Sequence, residues 1–171
     1  MCIFSNLLIY SIDNIVYISE EKYKIIKNST LRPNDILFAK TGATIGKTAI
    51  IPDSIPMSNT TSHVGKITID AQYNARYFFY VLGSEIGYKQ MWSFAGQKTT
   101  RPELSIEEIK KVRFPLPCRK EQDEIVAYLD DKIPRMDELI EKKEKFLEEL
   151  ETYKKSMIYE YVTGKKEVPQ S

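Results

Sequence analysis

Histidine occurs once in the 171 residues, at His63, and cysteine twice, at Cys2 and Cys118. A single histidine removes the support for metal clusters built on paired histidines and for a Ser-His arrangement elsewhere in the chain. Two isolated cysteines without CxxC spacing indicate neither a disulfide framework nor a thiolate metal site, and they fit a reducing compartment. No apolar run approaches the roughly 18 residues of a membrane span. The opening MCIFSNLLIY lacks a basic n-region and is interrupted by polar residues, so a signal peptide is not expected. A cytoplasmic location without membrane contact is the expectation. Net charge is also scarce, at +1, far below what binding nucleic acid by charge alone requires. Neither an internal repeat nor a low-complexity linker is present.

What remains is a globular composition, 42% hydrophobic and 29% charged, enough for one ordinary core plus an appendage. The charge is unevenly placed. Residues 1–118 hold 14 Lys or Arg against 10 Asp or Glu, and residues 119–171 hold 11 against 14. A mildly basic globule on an acidic tail is compatible with nucleic-acid binding by the globule, without arguing for it.

The appendage is the most informative segment. After the breaker P-L-P (115–117), apolar residues fall every seven positions at Val126, Ile133, Ile140 and Leu147, a track continued by Lys154 and Tyr161. A second track lies three residues on, at Leu129, Met136, Leu150 and Met157, with Lys143 in the same register. This repeat of three then four predicts a helix that packs along a partner helix, because about 3.5 residues per turn keeps one stripe facing it. The alternative is an amphipathic helix lying across its own domain. At 1.5 Å rise per residue, Glu121 to Tyr161 would span on the order of 60 Å and project from the globule. Lys143 and Lys154 weaken the stripe but can fix register and oligomer state. Pro134 predicts a short helix to about Asp130, then a kink or restart.

Within the globule, short strands are predicted at Asn14–Ile18, Lys24–Lys27, Ile36–Ala39, Val64–Ile69 and Val112–Leu116. L-R-P-N-D (31–35) reads as a turn, and Ile36–Ala39 with Thr48–Ile51 as a hairpin. Helices are predicted over Asn74–Leu82 and from the cap Ser84 through Met91. A further short helix opens at the capping box S-I-E-E (105–108). The class is α+β, with a globule over 1–117 and a helical region over 118–171.

T-G-A-T-I-G-K-T (41–48) imitates a phosphate-binding loop but has three residues between its glycines where that loop needs four. A β-branched run and Pro52 follow where a helix should begin. Two glycines shaping a hairpin is the better account. Paired carboxylates such as Glu107 with Glu108 sit where charge balances a helix dipole. A nuclease pairing of Asp53 with Glu108 competes with the capping role of Glu108. No residue is marked as catalytic, as a metal ligand or as a cofactor contact. The aromatic cluster Tyr73, Tyr77, Phe78, Phe79, Tyr80, Trp92 and Phe94 reads as core before it reads as a base-stacking surface. More suggestive is G-Q-K-T-T-R-P (96–102), where Gln97, Lys98, Thr99 and Arg101 combine groups suited to base edges and phosphates. With Lys40, Thr44 and Lys47 they form a candidate recognition face; two solvated loops are the bland alternative.

Three stretches, D-I-L-F-A-K-T-G-A-T-I-G-K (35–47), G-Q-K-T-T-R-P-E-L-S-I-E-E-I (96–109) and P-L-P-C-R-K-E-Q-D-E-I-V-A-Y-L-D (115–130), with Y-V-T-G-K (161–165), resemble the specificity subunits of type I restriction-modification systems. The resemblance implies a non-catalytic, target-recognition-like DNA-binding domain followed by one long spacer helix. Implied partners are double-stranded DNA, methyltransferase subunits that use S-adenosylmethionine, and an ATP-driven restriction subunit that can join them. A full subunit of that family resembles two recognition domains joined by two antiparallel helices. This chain would supply one of each, with an N-terminally shortened globule. Homodimerisation or pairing with another half subunit would restore the repeat. The other reading is an assembly fragment that pairs through its helix without reading DNA.

Overall fold

A computed structural model describes residues 7–9, 18–96 and 102–169. The chain forms two compact units, Met1–Val126 and Ala127–Ser171. The first holds strands β1 (Leu7–Ile9), β2 (Ile36–Ala39), β3 (Thr48–Ile50) and β4 (Val64–Ile67), and helices α1 (Glu20–Ile25), α2 (Ala75–Gly83), α3 (Glu85–Ala95) and α4 (Ile106–Ile109). Helix α5 (Arg119–Val162) begins in the first unit and makes up most of the second. The architecture is α+β with a long C-terminal helix.

The sheet order is β1-β3-β2-β4. The predicted hairpin forms as an antiparallel pair with Ile36 opposite Ile50 and Phe38 opposite Thr48. β4 pairs antiparallel on the other side of β2, and β1 adds in parallel to β3. Alternation along β2 buries Ile36 and Phe38 on one face, where Ile50, Phe79, Leu82, Met91 and Leu104 complete the core. Phe38 is 1% exposed, and its ring lies over Gly65 of β4, where any Cβ would sit 2.1 Å from a ring carbon. The turn before β2 holds Asn34 at φ 65° and buries the Asp35 carboxylate, which accepts from the Arg32 amide at 2.9 Å and the Thr68 hydroxyl at 2.6 Å.

Local cap chemistry sets the helix starts. Asn74 accepts from the amides of Arg76 and Tyr77, and Ser84 accepts from Gly87. Ser105 and Glu108 exchange both bonds of the capping box. Three expectations need correction. Lys24–Lys27 is not a strand: Ser19 caps α1, Glu20 and Glu21 occupy its first turn, and a 3-10 turn follows at Lys27–Ser29. Those local bonds outweigh the β-branched pair Ile25-Ile26. Val112–Leu116 joins no strand: the Val112 amide turns back to the Ile109 carbonyl at 3.2 Å, and side chains take up backbone groups further on. Gln90 bonds both the amide and the carbonyl of Arg113 at 2.9 Å, and the Tyr77 hydroxyl donates to the Pro115 carbonyl at 2.7 Å. Finally, α5 runs through Pro134 without a restart. One missing N–H is tolerated in a 44-residue ladder flanked by the Asp131–Arg135 and Glu138–Lys142 pairs. The predicted strand Asn14–Ile18 lies outside the described residues except for Ile18, which is in no strand.

Candidate nucleic-acid interface

Lys40, Thr44 and Lys47 bracket the tight loop between β2 and β3. A 3-10 turn spans Gly42–Thr44, and Gly42 and Gly46 adopt φ of 78° and 80°. At Gly46 the left-handed backbone coincides with a close approach, since a Cβ would lie 3.0 Å from the Tyr88 ring of α3. The loop is therefore braced on a helix, as a hairpin turn and without the helix N-terminus that a phosphate loop requires.

The three side chains are not equivalent. The Lys40 ammonium donates to the Ser62 carbonyl at 3.3 Å and lies 3.9 Å from the Glu103 carboxylate, so its charge is partly committed. Thr44 is exposed and Lys47 half-buried, and neither side chain has a partner among the described residues. Lys47 is the freer cation. His63 sits beside them, its Nδ1 3.3 Å from the Thr41 hydroxyl, as a surface hydrogen-bonding group.

Gln97, Lys98, Thr99 and Arg101 lie outside the described residues. The chain on their C-terminal side is fixed against the loop, however. Thr41 bridges to Glu103, and the Leu104 amide donates to the Lys40 carbonyl at 2.8 Å. On their N-terminal side, α3 ends at Gly96. Lys40 also lines a hollow of about 280 Å³, together with Ser29, Thr60, Thr61 and Lys66. Lys66 is engaged there by the Thr30 carbonyl at 2.8 Å and by Asp35 at 3.5 Å.

The carboxylates of a nuclease reading have other occupations. Asp53 accepts from Asn34 at 3.2 Å, and Glu108 accepts from the Ser105 amide at 2.6 Å. Among the described residues no group of acidic, histidine or cysteine side chains could hold a metal ion, and no helix is long and apolar enough to cross a membrane.

Of the helix-pairing candidates, Leu129, Ile133 and Ile140 are half-buried, while Met136, Leu147, Leu150 and Met157 are exposed. All seven lie on the uninterrupted α5. Exposed Leu139, Phe146 and Tyr153 form a third track one residue before Ile140, Leu147 and Lys154, so the apolar stripe is wider than the two tracks alone. Their spacing of seven was a signal available in the sequence.

Gln122 carried no such signal. It is 0% exposed, accepting from the Asn74 amide at 2.9 Å and donating to the Pro117 carbonyl at 2.9 Å. Beside it Asp123 accepts from Asn74 at 2.7 Å and from Arg119 at 2.9 Å, and these bonds hold its carboxyl below the usual carboxylate range. Burial pushes the Tyr77 phenol up, and the Glu121 carboxylate adds to the shift. These groups join α2 to the start of α5 and are structural.

Residues 6–151 match the family model of the type I restriction modification DNA specificity domain. The chain belongs to this family. A chain from a structure described as the structural basis of complex assembly and conformational transition of the type I R-M system shares the fold of this specificity domain. It superposes with a TM-score of 0.67 at 19% identity, over 77% of this chain and 34% of that one. The specificity domain described here thus spans about a third of that chain's length.

Proposed function

We propose that this chain is a DNA sequence-recognition component of a type I restriction-modification complex. Its first unit contacts double-stranded DNA through Lys40, Thr44, Lys47, Gln97, Lys98, Thr99 and Arg101, and α5 pairs with a second helix. The observation that carries the DNA reading is the bracing of the Lys40–Lys47 loop by Tyr88 on one side and by the Glu103–Leu104 segment on the other. That arrangement presents cations and hydroxyls from a loop of fixed shape, as phosphate and base-edge contacts require. Homodimerisation, or pairing with another half specificity subunit, supplies the second helix. The same helix docks methyltransferase subunits, with a restriction subunit able to join them.

Alanine at Lys40, Lys47, Lys98 and Arg101 together is expected to abolish binding of short duplex DNA as read by anisotropy. Lys47→Ala alone should weaken all sequences alike and lower the salt slope by about one, whereas a base-reading Arg101 would cost roughly 1–3 kcal/mol at one position. Equal affinity of the quadruple variant and wild type would remove these loops from consideration.

The chain carries no catalysis of its own in this reading. Incubated with DNA, magnesium, ATP and labelled S-adenosylmethionine, the purified chain should give neither cleavage nor label transfer, and added methyltransferase subunit should restore transfer. Activity that follows the chain through repurification would overturn this, with Asp53 and Glu108 the first residues to test.

A further inference from the structure

Most of the aromatic cluster is core, with Tyr73 at its edge against Phe78 and Trp92 set apart. Tyr77 and Phe79 are buried, and Phe78, Tyr80 and Phe94 pack against the core, but Trp92 stays 40% exposed. It lies in the last turn of α3, five residues before Gln97, and its carbonyl accepts from the Gly96 amide at 2.9 Å. Its indole stacks on Tyr88 with centroids 6.4 Å apart and ring planes 28° from parallel. Tyr88 is in turn the ring that packs on Gly46, next to Lys47. A part-exposed indole is thus stacked on a ring that itself packs against the loop at Gly46. Among the described residues its Nε1–H has no acceptor.

Large aromatic side chains with an apolar body and one polar donor serve at interfaces because they fill area at low entropic cost and still make a directed hydrogen bond. Both halves of that chemistry match a DNA backbone, whose deoxyribose is apolar and whose phosphate oxygens accept. We propose that Trp92, held in place by Tyr88, is a DNA-contacting residue, its ring against deoxyribose and its Nε1–H donating to a phosphate next to the one held by Lys47. The contact rests on the DNA reading above, and it adds affinity without charge. That distinguishes it from every lysine and arginine of the interface.

Trp92 is the only tryptophan of the chain, so its emission reports this position alone. Short random-sequence duplex DNA titrated into the full chain should quench that emission, with the same midpoint as the anisotropy of a labelled copy of the duplex. Trp92→Ala should weaken binding roughly tenfold and Trp92→Phe roughly threefold. Neither should change the salt slope, since no counterion is released by an uncharged ring. The wild-type titration needs no variant to fold. Binding by anisotropy with unchanged emission, or with an unaltered affinity for Trp92→Phe and Trp92→Ala, would overturn the Trp92 contact and leave the loop reading standing. Absence of any anisotropy change at low salt would remove both.

Discussion

A chain carrying Ile140→Asp and Leu150→Asp should scatter light as a monomer at micromolar concentrations where the wild type is expected to associate. Both positions lie mid-way along α5 in the apolar stripe, and Leu150 is 45% exposed without a partner helix. Pairing would bury each against apolar neighbours. An unpaired aspartate in such a contact costs several kcal/mol, and every ~1.4 kcal/mol is a factor of ten in affinity, so two substitutions should weaken association by at least about a thousandfold. The helix itself should survive, because exposed pairs such as Glu138 with Lys142 at 2.6 Å support it from the other side. Alanine at Glu141 and Glu148, outside the stripe, should leave association intact and serves as the control. Replacing Lys143 by Leu should tighten association while broadening the oligomer distribution, since the lysine restricts register at a cost in stability. A wild-type chain that is already monomeric would end the self-association reading of α5.

Gly65→Ala should be among the most damaging single changes in the first unit. The added Cβ would meet the Phe38 ring at 2.1 to 2.7 Å, and Phe38 is enclosed among Ile36, Ile50 and Phe79 with nowhere to withdraw. Overpacking of this kind costs about 3 kcal/mol, which would lower the melting temperature by on the order of 10 °C. Phe38→Leu alone should also destabilise, by leaving a cavity. Combined with Gly65→Ala it should cost less than the sum of the two, because each change makes room for the other. Calorimetry or thermal circular dichroism on the four chains gives the coupling directly, and strict additivity would contradict the ring-over-glycine packing.

The parts legible in the sequence are those specified by neighbouring residues. Ser105 and Glu108 announced α4, Ser84 announced α3, and the glycines at 42 and 46 announced the hairpin turn, while α2 was legible from its apolar run with the capping role of Asn74 unread. Lys24–Lys27 is no strand because the Ser19 cap and an acidic first turn outweigh the β propensity of Ile25 and Ile26. Val112–Leu116 failed for a different reason: whether an extended segment joins a sheet depends on who satisfies its amides, and Gln90 is 23 residues away from Arg113. The parallel addition of β1 to β3 is non-local in the same way. In the candidate interface, Lys40 and Lys47 look alike in the sequence, and only the fold shows Glu103 beside one of them. The long helix α5 was legible in its heptad spacing, and Pro134 leaves it unbroken because many other bonds hold the ladder.

The double bond of Gln122 has a consequence for how α5 opens. Its side chain ties the Asn74 amide, at the cap of α2, to the Pro117 carbonyl just ahead of α5, and Val126 is 6% exposed one turn later. The amides around Gln122 and Val126 can therefore exchange with solvent only when the core of the first unit opens, on the timescale of global unfolding. From Met136 onward the helix is largely exposed, with Leu147, Leu150 and Ile158 open to solvent, so its amides are expected to exchange by local fraying. One continuous helix is in this sense two cooperative segments, the first belonging to the folding of the globule and the second able to open on its own.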